Sequence, residues 1–465
     1  MDMLSIHIER TSDTPIYEQL YIYIKKEIAS GKITFSEKLP SKRKLAEFLK
    51  ISQNTVETAY EQLVAEGYVE SVPRKGYFVQ AYEDLEYVQK EMTNTSREQQ
   101  PIIQMKYHFH PGWVDTEHFP FEKWRKYAKQ TMEKENRHLL LAGNQQGEYE
   151  LRKEICQYLF QARGVHCSPE QIVIGAGLEI LLQQLILLLN KRTVYGVEDP
   201  GYHVISHLLK KYEYHVLPLE VDEEGVNVGE IEEKNINVIY VTPSHHFPYG
   251  SILSVNRRTK LLNWAAARPN RFIIEDDYDS EFRYSGKSIP SLQSMDQNGK
   301  VIYLGTFSKS LMPSIRISYM VLPDSLLQKY KKELTFYQCS VSRIDQHILT
   351  EFMRNGDFEK HLNRMRKIYR RKLEKVLDLL KPYQELTVSG AHSGFHLVLE
   401  VNNGLKEKEL VDRALQAGLK VYPVSAYSII KREETLPKIV LGFAGIPEKE
   451  LGTAIKLLLK SWKIF

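Results

Sequence analysis

Cysteine is scarce, with three in 465 residues. Cys156, Cys167 and Cys339 form no C-x-x-C pair and are odd in number, which argues against a disulfide framework and a structural zinc site. Long apolar runs are also missing: "EILLQQLILLLN" at 179–190 is too short and too interrupted to span a bilayer. The opening "MDMLSIHIER" carries acidic residues and lacks the basic stretch and apolar core of a secretory signal. These absences point to a soluble chain, with no membrane partner, in the cytoplasm. Charge of one sign is lacking too: 63 Lys plus Arg against 59 Asp plus Glu leave a net +4, so any nucleic-acid signal must be local. At this length two or three domains are expected.

What is present begins with "TPIYEQLYIYIKKEIASG". Thr14 reads as a helix N-cap, Pro15 as the first helical position, positions 16, 20, 24 and 28 as the apolar face, and Gly31 as the stop. A second helix opens at Pro40 and Ser41 and places Leu45, Phe48 and Leu49 on one side. A third puts Val56, Ala59, Tyr60 and Leu63 at helical spacing, with Gln53, Asn54, Thr55 and Thr58 on its other face. "YVESVPRKGYFVQ" then reads as a hairpin with a basic tip. Three helices and a hairpin make a winged helix-turn-helix, whose third helix enters the major groove of double-stranded DNA N-terminus first. Ser41, Lys42, Arg43, Ser52, Gln53, Asn54, Thr55, Lys75 and Gly76 are the candidate contacts. Residues 1–80 hold eleven basic and eleven acidic side chains, so the module has no overall basic excess. The run from "LPSKRKLAEFLK" to "RKGYFV" resembles the DNA-binding domain of the GntR family of bacterial regulators. Gln53 departs from an arginine common there, which leaves base preference open.

Residues 82–105 are polar and lack glycine, as expected of a partly helical tether between a 1–81 DNA-binding domain and a 106–465 effector domain. Beyond it, "QIVIG", "TVYGV", "INVIYVT", "RFIIED", "KVIYLG" and "RISYMV" alternate with longer helical stretches. Such runs are strands buried on both faces of a mostly parallel sheet, giving an α/β fold with ligand loops past the strands' carboxyl ends.

Lys309 lies just past one such strand. A lysine there suits pyridoxal 5′-phosphate, which needs an amine for a Schiff base, an acid for its ring nitrogen and donors for its phosphate. Asp276, with Asp277 as the alternative, supplies the acid, and Tyr278 a donor to the ring oxygen. Gly175, Ala176 and Gly177 join a strand to a helix N-terminus whose amides face an anion, and Thr306, Ser308 and Arg316 complete the phosphate set. Tyr202 offers a stacking surface.

With "DPGYH", "TPSHHFPYG", "EDDYDSEFRY" and "GTFSKSLMPSIRISY", residues from about 105 to the end resemble fold-type I aminotransferases. Joined to the N-terminal module, the whole chain resembles the MocR subfamily of GntR regulators. That resemblance implies Lys309 as the Schiff-base residue, Asp276 at the pyridinium, Tyr278 at the ring oxygen, Tyr202 stacked and Arg316 on the phosphate. It further implies a head-to-tail homodimer and sensing of an amine or amino acid through external aldimine formation; an active aminotransferase with a fused DNA-binding module is the alternative. Two departures stand out. Phe247 replaces the usual asparagine, leaving His246 as a candidate near the ring oxygen. The carboxylate-binding arginine has only Arg432 as a counterpart, with Lys431 and Lys438 nearby, and Val204 offers nothing to a second acidic group.

Overall fold

A computed structural model describes residues 6, 8–10, 12–80, 105–284, 286, 289–431 and 436–464. The chain divides between Pro101 and Ile102 into two compact units. Residues 82–104 of the expected tether lie outside the described residues, as does Arg432.

The first unit is built from α1 (Ile16–Ala29), α2 (Lys42–Leu49), α3 (Gln53–Ala65) and the antiparallel pair β1 (Val69–Val72) and β2 (Gly76–Val79). Its core holds Leu20, Ile24, Ile28, Leu45, Val56, Ala59, Tyr60 and Leu63 from the helical spacing, joined by Ile33, Leu39, Ala46, Val69 and Val79, while Ile16 is only partly buried. Two local expectations fail. Pro15, not Thr14, holds the N-cap position of α1, and no side chain caps it. Phe48 is 48% exposed. α2 has only two full turns, and its buried side chains are Leu45 and Ala46.

In the second unit β3 (Tyr107–His108) pairs with β14 (Leu419–Lys420). Helices α4 (Phe121–Thr131) and α5 (Tyr149–Arg163) precede the main sheet. That sheet comprises β4 (Ile172–Gly175), β5 (Val194–Asp199), β6 (His215–Asp222), β7 (Gly225–Val226), β8 (Val238–Val241), β9 (Phe272–Asp277), β10 (Val301–Thr306) and β11 (Ser318–Val321). The order is β4-β11-β10-β9-β8-β5-β6-β7. The run from β10 through β9, β8 and β5 to β6 is parallel, while β11 is antiparallel to both its neighbours. All six β-branched runs are strands. β6 escapes the sequence reading because it is half exposed and carries Pro218, so it lacks the continuous apolar signature. A smaller sheet, ordered β12-β13-β16-β15, is made of β12 (Leu386–Ser389), β13 (His396–Val401), β15 (Tyr422–Pro423) and β16 (Lys438–Gly442). Among the described residues no helix is long and apolar enough to cross a membrane.

The chemistry gathers where the parallel strands end. β9 delivers Asp276 and Asp277 and β10 delivers Thr306, with Ser308 and Lys309 on the short helix Phe307–Ser310 that follows. On a strand, adjacent side chains leave opposite faces, which separates Asp276 from Asp277.

Candidate functional site

A cavity of about 560 Å³ opens at these strand ends. Its lining includes Tyr202, Asp276, Tyr278, Thr306, Ser308, Lys309 and Arg316, so seven residues picked from sequence converge on one space. Lys309 sits among them with its ammonium disfavoured: burial lowers its pKa to about 8, against the opposing pull of Asp279 and Asp276. The backbone of Gly112 comes so close that a Cβ there would stand 2.8 Å from Lys309 Nζ.

The two adjacent carboxylates separate cleanly. Asp277 Oδ2 accepts from Arg163 Nε at 2.6 Å and from the Tyr303 hydroxyl at 2.5 Å, a buried ion pair on the other face of β9. Asp276 Oδ2 accepts from the Tyr240 hydroxyl, while its buried Oδ1 has no hydrogen-bond partner. Burial is the first cause lifting the Asp276 pKa to about 7; Tyr240 opposes it, and Asp277 and Asp279 add to it. A buried carboxylate oxygen without a donor is costly, and a ring N–H⁺ is the kind of group that would satisfy it.

Around Tyr278 the expectation needs correcting. His246 does not line the cavity; it is buried, with neither ring nitrogen hydrogen-bonded, and burial drives its pKa down to about 3. Its neighbour His245 stands behind Tyr278 instead, Nδ1 lying 3.1 Å from the Tyr278 hydroxyl and 2.9 Å from Asp279 Oδ2. The sequence reading named His246 alone; the turn of the loop brings its neighbour His245 to Tyr278.

The anion cradle shifts in a similar way. Gly175, Ala176 and Gly177 do form the bend from β4 into α6 (Leu178–Leu188). Their amides are engaged, however: Ala176 N–H donates to Ser340 Oγ at 2.9 Å and Gly177 N–H to the Gly175 carbonyl at 2.8 Å. The residues that line the cavity here are Leu178 and Glu179, in the first turn of α6, where amides are left over by helix geometry. Gly177 is needed for another reason. Its φ is +102°, and a Cβ would meet Arg316 Nη2 at 2.0 Å. Arg316, itself left-handed at φ +50°, pairs with Glu179 Oε2 at 2.7 Å. Ser308 Oγ is buried with no partner, and Thr306 Oγ1 accepts from Ser308 N–H at 3.1 Å.

A cofactor with an aldehyde, a protonated ring nitrogen and a phosphate therefore meets suitable groups. These are a partly discharged amine at Lys309, an unpartnered oxygen on Asp276, a phenol at Tyr202, and a hydroxyl and a guanidinium at Ser308 and Arg316. Sequence reading missed His110, Trp113, Tyr422 and Tyr427, which also line the cavity. They come from chain segments far from the strand ends and carry no local motif.

The DNA-contact candidates sort differently. Ser41 Oγ and Ser52 Oγ are spent as N-caps, accepting from Lys44 N–H at 3.3 Å and Thr55 N–H at 3.1 Å. Lys42 is tied to Glu57. Arg43, Gln53, Asn54 and Lys75 are exposed, while Thr55 and Gly76 are partly covered.

Residues 16–79 match the model of bacterial regulatory proteins of the gntR family, and residues 113–458 that of class I and II aminotransferases. The chain is 45% identical to YdeL of Bacillus subtilis, an HTH-type transcriptional regulator, over 98% of its own length and 99% of that protein. It is 30% identical to the probable rhizopine catabolism regulatory protein MocR of Rhizobium meliloti, over 97% of its length and 94% of the relative. The chain belongs to the MocR subfamily of GntR regulators. As a MocR-type chain it is a transcriptional regulator carrying an aminotransferase-like domain. Its large unit matches the solved kynurenine aminotransferase of Pyrococcus horikoshii, in complex with PMP, at 25% identity and a TM-score of 0.68, covering 77% of this chain and 91% of the other.

Proposed function

We propose that this MocR-type regulator binds pyridoxal 5′-phosphate at the cavity and reports on an amine or amino acid by changing its grip on promoter DNA. The observation that carries this is one cavity lined by both Lys309, a lysine of lowered pKa, and Asp276, a carboxylate with an unpartnered buried oxygen. When bound, the cofactor supplies an aldehyde carbon at which one amine can exchange for another. The chain does the rest. Lys309 would supply the amine that holds the aldehyde, and would keep that amine beside it when a ligand amine takes its place. Asp276 keeps the ring nitrogen protonated, Tyr202 covers the ring face, and Tyr278, positioned by His245, serves the ring oxygen. Arg316, Thr306, Ser308 and the first-turn amides at Leu178 and Glu179 hold the phosphate. The 1–81 and 106–465 segments act as DNA-binding and effector domains of a cytoplasmic head-to-tail homodimer, whose paired modules suit a two-part operator.

The test is to titrate full-length protein, with cofactor and promoter DNA, against amines and amino acids while following visible absorbance, operator affinity and keto-acid release. A spectral change coupled to altered affinity supports the sensor. Rapid multiple turnover of keto acid without such coupling favours an enzyme.

Two expectations follow at this level. Only the free amine of Lys309 can attack an aldehyde, so cofactor uptake by apo-protein should rise roughly tenfold per pH unit below about 8 and level off above it. The sign follows from the cause: burial disfavours the ammonium, so the reactive form appears at lower pH than on an exposed lysine with its ordinary value of 10.5. Stopped-flow absorbance checks this, and a profile still rising steeply above pH 9 would contradict it. On the DNA side, Arg43→Ala should weaken operator binding and reduce the salt slope by about one unit, as loss of a phosphate contact does. Affinity measured across salt concentrations decides; an unchanged slope removes Arg43 from the interface.

A further inference from the structure

The functional reading leaves one end of the effector without a receptor, and the following rests on that reading. Among the described residues, the lysine and arginine side chains that line the cavity are Lys309 and Arg316. Both are engaged by the cofactor as assigned above. Much of the remaining wall is made of rings, His110, Trp113, Phe247, Tyr422 and Tyr427, with Glu179, His203, Thr242 and Ser318 as its other polar side chains. His110 and Trp113 are near-parallel at 5.6 Å, with His110 edge-on to Tyr422 at 5.2 Å. Phe247 meets Tyr427 edge-on at 4.8 Å. Behind Phe247 and Tyr427 lie Val398, Val424 and Val440, so the wall stays apolar in depth.

Arg432 lies outside the described residues, and two nearby lysines are engaged away from the cavity. Lys438 pairs with Glu400 at 3.8 Å and stands over the Tyr249 ring, and Lys420 stands 5.7 Å over Tyr422 without lining the cavity. His110 accepts the Gly112 amide on Nδ1 at 2.9 Å and is held neutral, its pKa lowered to about 4 by burial and then by Lys309. A carboxylate pressed against this wall would lose water and gain no ionic partner among the described residues. An aryl or alkyl group would gain from burial and from ring contacts.

We propose that the effector is a primary amine that carries no carboxylate, its aromatic or apolar tail seated against His110, Trp113, Phe247, Tyr422 and Tyr427.

Matched pairs that differ only by the carboxylate test this: 2-phenylethylamine against phenylalanine, and isoamylamine against leucine, added to full-length protein carrying pyridoxal phosphate. Visible absorbance and titration calorimetry read the binding. Each amine should reach half-saturation at a concentration at least about tenfold below its amino acid, the ratio a carboxylate desolvated without a partner should exceed. Trp113→Ala should weaken 2-phenylethylamine about fivefold and methylamine, which has no tail, by less. Ala426→Arg, which places a guanidinium at an exposed lining position, should narrow the gap between phenylalanine and its amine. A normal cofactor spectrum with the amino acids preferred would overturn this proposal alone, and loss of that preference in Arg432→Ala would name the carboxylate receptor. No cofactor absorbance in any sample would overturn the underlying reading, and this one with it.

Discussion

Lys309→Ala is expected to abolish the response to effector. Coupling between two sites in regulators amounts to about 1–3 kcal/mol, a roughly 5- to 150-fold change in affinity. In the variant the effector-induced change in operator affinity should fall to within about twofold, because a ligand shifts a conformational equilibrium only through its differential affinity for the two states. Removing the amine removes the bond whose exchange would create that difference. The Schiff-base absorbance of the protein–cofactor complex should be lost with it, leaving at most that of the free aldehyde. Fold integrity can be judged separately from the unfolding midpoint, since Lys309 sits on a four-residue helix at the cavity and not in the apolar cluster that packs α5 against the sheet. A Lys309→Ala protein that still responds fully to amine would show that the large unit works without this lysine.

Asp276→Asn is the second large effect, and its sign differs between apo- and holo-protein. The unpartnered Oδ1 makes this carboxylate the natural partner of a protonated ring nitrogen. Losing one member of a buried, hydrogen-bonded charge pair costs about 2–5 kcal/mol, so cofactor affinity should drop roughly 30-fold or more. In the apo-protein the same carboxylate is a burden. Its folded pKa is raised from 3.8 to about 7. Between those values the folded chain retains a proton that the unfolded chain has released, so this group's contribution to stability falls as pH rises through the window. Asparagine removes that penalty and can still accept from Tyr240. Above neutral pH, apo Asp276→Asn should therefore unfold at a midpoint no lower than wild type while binding cofactor far more weakly. Equilibrium dialysis and thermal unfolding of both forms measure the two effects. Weakened folding together with unchanged cofactor affinity would assign Asp276 a structural role only.

The contrast between what sequence could and could not reveal follows from how each signal is encoded. The helices of the first unit were legible because Leu20, Ile24 and Ile28, like Val56, Ala59, Tyr60 and Leu63, repeat at the period of a helix that buries one face. The strands were legible because they are buried on both faces and written as unbroken β-branched runs. Lys309, Asp276 and Tyr202 were legible because each lies at or just past the end of such a run, where α/β folds open their crevices. Choices between neighbours were not legible. Asp276 and Asp277 are told apart by strand parity and by Arg163, which lies more than a hundred positions away in the chain. His245 and His246 are told apart by a loop, and the cradle amides by the bond that Ala176 N–H donates to Ser340 Oγ. The aromatic wall was invisible, since His110, Phe247 and Tyr427 come to one cavity only through tertiary packing.

The central claim is the bond made by Lys309, and the most direct measurement is reductive trapping. Full-length protein incubated with pyridoxal phosphate is treated with borohydride, digested and mapped by mass spectrometry. The account predicts one dominant modified peptide carrying the cofactor on Lys309, and its loss when a competing amine is added before reduction. No modified peptide, or label spread over surface lysines with none favoured, would contradict it.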